Sequence, residues 1–130
     1  SDHTLPALSL VLLERIMKKI PQYNTKWLEK GTQLKDYLSS LLDRRSILLF
    51  PSYTRPAPKH RGPMLTPFDF AYTAIINVLE FPATQVPLGL NKEGLPLGLQ
   101  VIGGHGHDHL TLWCASVLEE EFGGWSPPDL

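Results

Sequence analysis

The stretch "FPATQVPLGLNKEGLPLGLQVIGG", from Phe81 to Gly104, decides the fold. Residues 85–88 and 97–102 are short apolar runs of strand length, and Asn91-Lys92-Glu93-Gly94 between them is turn chemistry. Two strands joined by a tight turn are therefore expected. Downstream, a helix is predicted over 109–122 with Leu110, Trp113, Cys114, Val117 and Leu118 inward, Asp108 as its cap and Gly123-Gly124 as a left-handed stop. Upstream, Thr66-Pro67-Phe68-Asp69 offers a capping hydroxyl, a proline at the first helical position and an acid at the third. That predicts a helix over 68–79, ended by Phe81-Pro82.

Before it, residues 51–67 hold five of the twelve prolines and no hydrophobic period, which reads as a long loop. Ile47-Leu48-Leu49-Phe50 is apolar at every position and reads as a short strand buried on both faces. Two amphipathic helices precede it. The first carries Leu8, Leu12, Ile16 and Ile20 and ends near Pro21; the second runs over 26–42 with Trp27, Leu34, Leu38 and Leu41 as its stripe. The order helix, helix, strand, helix, strand, strand, helix predicts an α/β or α+β arrangement around a small sheet, without internal repeats.

Composition narrows the function classes. With 12 Lys+Arg against 13 Asp+Glu there is no basic field to hold nucleic acid or an anionic membrane. Charged residues make up only 19% of the chain, which suggests that part of its surface is covered by something else. No apolar run approaches the length of a bilayer span. The chain opens Ser-Asp-His without methionine, as expected of a piece of a longer protein whose targeting signals lie upstream, so its localisation is not readable. The single Cys114 forms no internal disulfide and sits on an apolar helical stripe as an inert thiol.

The histidine loop is the sharpest local candidate for chemistry. His105, His107 and His109 with Asp108 have ligand types suited to zinc, but the spacing is one residue short of a His-x-His-x-Asp-His site. Gly104-His105-Gly106 opens a dinucleotide-type loop, yet His109 stands where the third glycine belongs. Neither a metal nor any other cofactor is expected. No Gly-x-Ser-x-Gly or Ser-x-x-Lys occurs, and Ser39-Ser40 lies in a helix among leucines. An independent binding module or metalloprotein using the histidine loop remains the alternative reading.

Pro82-Ala83, Pro87 and Gly89, followed by Gly94-Leu95-Pro96-Leu97-Gly98-Leu99-Gln100, resemble the C-terminal part of the amidase signature family. The segments "ILLFPSYTRPAPKH", "TPFDFAYTAIINVLEFP", "DHLTLWCASVLEEEFGGW" and "HTLPALSLVLLE" extend the resemblance over almost the whole chain. Within the family they resemble the fatty-acid amide hydrolases, the single-span type in particular. The resemblance implies the C-terminal part of an α/β amidase-signature fold, a few strands of a mixed core sheet packed with helices, with residues 1–130 forming a fragment of one catalytic domain. It also implies a serine amidohydrolase with a Ser-Ser-Lys triad, in which lysine, relayed by a bridging serine, activates the nucleophile. Nothing in this sequence matches the Gly-Gly-Ser-Ser type motif or the triad lysine. The fragment is then expected to supply scaffold and substrate wall, and no catalytic residue. Its partners would be a fatty-acid amide and the missing N-terminal portion, with membrane contact only through segments outside this chain.

The helix over 68–79 is the expected wall. Phe68, Ala71, Ile75, Val78 and Leu79 form one apolar stripe, which is expected to anchor it. Phe70, Thr73, Ile76 and Asn77 form another side free of Lys, Arg and Glu. A helix apolar nearly all round is either core or faces a cavity for an apolar ligand. The resemblance favours the latter, with Phe70, Thr73, Ile76 and Asn77 as substrate-binding residues.

Overall fold

A computed structural model describes residues 5–17, 21–66 and 68–127. Helices α1 (Leu5–Met17) and α2 (Pro21–Leu41) are followed by strand β1 (Ile47–Pro51), a single 3-10 turn (Gly62–Met64) and helix α3 (Ala71–Leu79). Strands β2 (Ala83–Leu90) and β3 (Pro96–Gly103) and helix α4 (Asp108–Phe122) complete the chain. The end of the first helix at residues 18–20 and the expected first-turn proline, Pro67, lie outside the described residues.

The sheet has the order β1-β3-β2, and β3 is antiparallel to both neighbours. Thr84 pairs with Val101 and Val86 with Leu99, while Leu49 faces Val101 from the other side. Asn91 makes the hairpin turn: its side-chain oxygen accepts the N–H groups of Glu93 and Leu95 at 2.9 Å each. Gly94, at φ 74°, takes the left-handed conformation that this turn requires. Residues along a strand alternate faces. Ile102 therefore turns toward Leu42, Ile76, Leu79 and Phe81, which with it form the core, and Leu38, Leu48, Phe50 and Ile75 pack around them. On the opposite face α4 lies across β2 and β3.

Several expectations need correction. Leu49 is 49% exposed, because α4 lies over β2 and β3 and leaves this edge position open, so β1 is not buried on both faces. α3 starts at Ala71 rather than Phe68: residues 68–70 form turns in which Asp69 N–H donates to Thr66 O and Ala71 N–H to Phe68 O. The Thr66 hydroxyl bonds the Asp69 carboxylate instead of capping a helical N–H. α3 also presents a different face to the core. Tyr72, Ile75, Ile76 and Leu79 fall within about 100° of arc and point inward, whereas Phe68, Ala71 and Val78 are exposed.

At α4 the cap is His107, held by its N–H to Gly104 O at 3.0 Å, and Asp108 is the first helical residue, where its charge complements the helix dipole. Thr111 is the side chain of α4 that is fully buried. Trp113, expected inside, is 64% exposed. The left-handed stop at Gly123, φ 82°, is as expected.

Candidate functional site

The outer face of α3 and the loop beside it form the candidate site. Phe70, Thr73 and Asn77 lie within about 60° of arc on the exposed side. Phe70 is 58% and Val78 69% exposed, and no charged side chain interrupts them between residues 70 and 79. The Thr73 hydroxyl donates to Phe70 O at 3.0 Å, which keeps its oxygen free to accept from outside the helix. Three of the four expected wall residues thus share one face. Ile76 does not join them: it is buried against Leu42, Phe81 and Ile102, on the side that holds the helix to the sheet.

Polar contacts lock the surroundings of this face in place. The Asp69 carboxylate accepts from Thr66, Arg55 and Thr54, and these bonds, Thr66 first and then Arg55, hold its pKa below the usual carboxylate range. The Arg55–Asp69 bond, at 2.5 Å, ties the proline-rich loop to the start of α3. At the far end Glu80 terminates α3 in the left-handed region, φ 61°, and pairs with Lys35 of α2 at 2.5 Å.

Behind the loop lies an open cleft of about 610 Å³ between residues 52–58 and the β2–β3 hairpin, lined by Ser52, Tyr53, Pro58, Gln85, Pro87 and Leu97 among others. Ser52 donates to the Gln85 side chain, and Gly98 lets that side chain lie flat on the sheet, since a Cβ there would stand 2.6 Å from Gln85 Nε2.

Sequence reasoning missed this cleft, and it did not single out Gln100 as a buried polar residue. Gln100 is buried, and its amide donates to Pro51 O at 3.1 Å and Tyr72 O at 3.3 Å. The available signal was one amide inside the apolar run Leu99-Gln100-Val101-Ile102.

The histidines do not converge. The His105 ring stacks on Phe81 at 4.5 Å, and His107 and His109 meet edge to face at 5.9 Å. Among the described residues no group of three or more His, Cys, Asp or Glu side chains is placed to hold a metal ion. Burial pushes the Cys114 thiol up, away from the reactive thiolate. No helix of the described residues is long and apolar enough to cross a membrane.

The family model for amidases, described as "Amidase", matches residues 4–112. The chain belongs to the amidase signature family. Relatives in this amidase family include fatty-acid amide hydrolase 2 of Homo sapiens, 43% identical over 128 residues, and fatty-acid amide hydrolase 2-B of Danio rerio, 46% identical over 129. Each alignment covers 98% of this chain and 24% of the relative, so the chain spans about a quarter of the length of these amidases. In fold it is similar to a glutamyl-tRNA(Gln) amidotransferase subunit from Thermotoga maritima, with a TM-score of 0.62 over 93% of this chain and 30% of that one, at 22% identity. The α/β fold expected of an amidase fragment is therefore present, with its three strands antiparallel.

Proposed function

We propose that this amidase-family chain is the C-terminal portion of a serine hydrolase that cleaves fatty-acid amides into fatty acid and amine. The catalytic Ser-Ser-Lys residues lie in the remaining portion of the enzyme, which is also this chain's partner, and membrane contact is made through segments outside it. Residues 1–130 supply part of the scaffold of one catalytic domain and one wall of the acyl channel. The observation that carries this reading is the uncharged, exposed face of α3 formed by Phe70, Thr73 and Asn77. The high identity to fatty-acid amide hydrolases over nearly the whole chain supports the same substrate class. Each methylene that Phe70 and its neighbours remove from water contributes about 0.8 kcal/mol, so a long acyl chain gains most from such a wall. Thr73 and Asn77 orient a polar group or a water, and Ile76 anchors the wall from behind.

The test is made in the full-length enzyme. Phe70→Trp narrows the channel without touching the core, so long-chain amides should lose much more kcat/KM than short-chain ones. Equal losses for long and short substrates, with the fold intact, would refute the wall.

A further inference from the structure

We propose that Gln100 is a positioning residue whose amide fixes the rotation of α3, and with it the chain-length selectivity of the wall; this rests on the reading of α3 given above. Gln100 is 6% exposed and sits on β3, the central strand, where an aliphatic side chain would meet no desolvation cost. Its amide nitrogen has two hydrogens, and each has a receiver on a different element. One is Pro51 O, at the end of β1 where the proline-rich loop departs. The other is Tyr72 O, in the first turn of α3.

The apolar contacts of α3 cannot do this work alone. Burial of Ile76 and Leu79 holds the helix against the sheet, but hydrophobic attraction is non-directional and tolerates rotation about the helix axis. The stacking of Tyr72 on Phe50, at 5.6 Å between ring centres, likewise permits sliding. Phe50 is the cross-strand partner of Gln100, so the amide and the ring pair act at one spot. On this inward face the amide is the directional contact, because a hydrogen bond weakens steeply off its axis, while the Arg55–Asp69 and Lys35–Glu80 pairs lie at the two exposed ends of the helix. Rotation of α3 would carry Phe70, Thr73 and Asn77 away from a bound chain.

The experiment compares KM and kcat for a long-chain and a short-chain amide in the full-length enzyme carrying Gln100→Met, with Phe70→Trp in parallel. Gln100→Met keeps the volume and removes both donors. The long-chain KM should rise about five-fold more than the short-chain KM, with kcat changing little for either, as expected for loss of one directional contact. Equal changes for both substrates, or none, while Phe70→Trp still discriminates, would overturn the role of Gln100 and leave the wall standing. If Phe70→Trp itself fails to discriminate, the wall falls and the inference with it. Should Gln100→Met not fold, Gln100→Glu gives an independent reading. Its carboxylate repels both carbonyls at alkaline pH, whereas its protonated form donates to one of them, so the long-chain KM should fall toward wild type as pH is lowered, in the variant only. A KM profile parallel to wild type would also overturn the proposal.

Discussion

The hydroxyl of Thr84 on β2 donates to that of Thr111 on α4 at 2.9 Å, and the Thr111 hydroxyl in turn donates to Asp108 O at 2.8 Å. This relay joins the sheet to the first turn of α4, with Thr111 1% exposed and Thr84 half-buried. Thr111→Val keeps the shape and strands the Thr84 hydroxyl, so it should cost about 1 kcal/mol or somewhat more. Thr84→Val with Thr111→Val should cost less than the two single changes added together. Denaturant titration of the four proteins in this cycle checks the sign of the coupling.

Two neighbouring glycines should behave differently. A Cβ on Gly104 would stand 2.3 Å from Leu42 O, a backbone atom that cannot step aside, so Gly104→Ala should destabilise by about 3 kcal/mol or more. Gly106 faces open space but sits at φ 74°, and Gly106→Ala should cost only about 1–2 kcal/mol from backbone strain. Comparable losses at both sites would show that the approach of Leu42 to this loop is looser than described.

Acid should release the proline-rich loop. The folded pKa of Asp69 is depressed, chiefly by Thr66 and then Arg55. Its contribution to stability is therefore complete above the ordinary value of 3.8 and is lost as pH falls below that toward the depressed folded value. Acid-stable proteolysis at residues 52–66 should accelerate on that descent in wild type. In Asp69→Asn cleavage should be faster near neutrality and flatter with pH.

The isolated chain should associate. A compact protein of this mass exposes about 6,900 Å², and this chain exposes 10428 Å². Leu49, Phe70, Val78 and Trp113 are among the apolar side chains left open. Light scattering and hydrophobic-dye binding should both be positive, and both should diminish when the rest of the enzyme is supplied. A monodisperse, dye-silent monomer would contradict this.

With the catalytic Ser-Ser-Lys residues outside this chain, as proposed, no amide hydrolysis should accompany the isolated chain. Saturable turnover that survives repurification would contradict the proposed division of labour between this chain and the rest of the enzyme.

The element order, the Asn91–Gly94 turn and the Gly123 stop were legible in the sequence because each depends on residues near one another. The inward face of α3 was not. Its residues are apolar nearly all round, so periodicity cannot choose a face, and Leu42, Phe81 and Ile102 decide it from other elements. Thr111 displaced Trp113 from the interior of α4 for a similar reason. Gly103 leaves room for the threonine methyl, and Thr84 supplies its hydroxyl partner from a strand 27 residues away. For the candidate site, the Phe70–Asn77 spacing was readable, but the bonds of Gln100 to residues 28 and 49 positions distant were not.

The placement of β3 between β1 and β2 also sets an order of events during synthesis. β1 and β2 emerge first and run the same way, yet the slot between them is filled only by the strand ending at Gly103. A ribosome that has released residues up to the turn at Asn91 has therefore delivered β1 and β2 without the strand that pairs with both. Closure awaits the last strand, and contacts between residues more than fifty positions apart form together with those of the hairpin. In a nascent chain halted before residue 96, the segment from residue 47 to residue 90 should remain protease-sensitive, and its protection should arrive in a single step once β3 has cleared the exit tunnel.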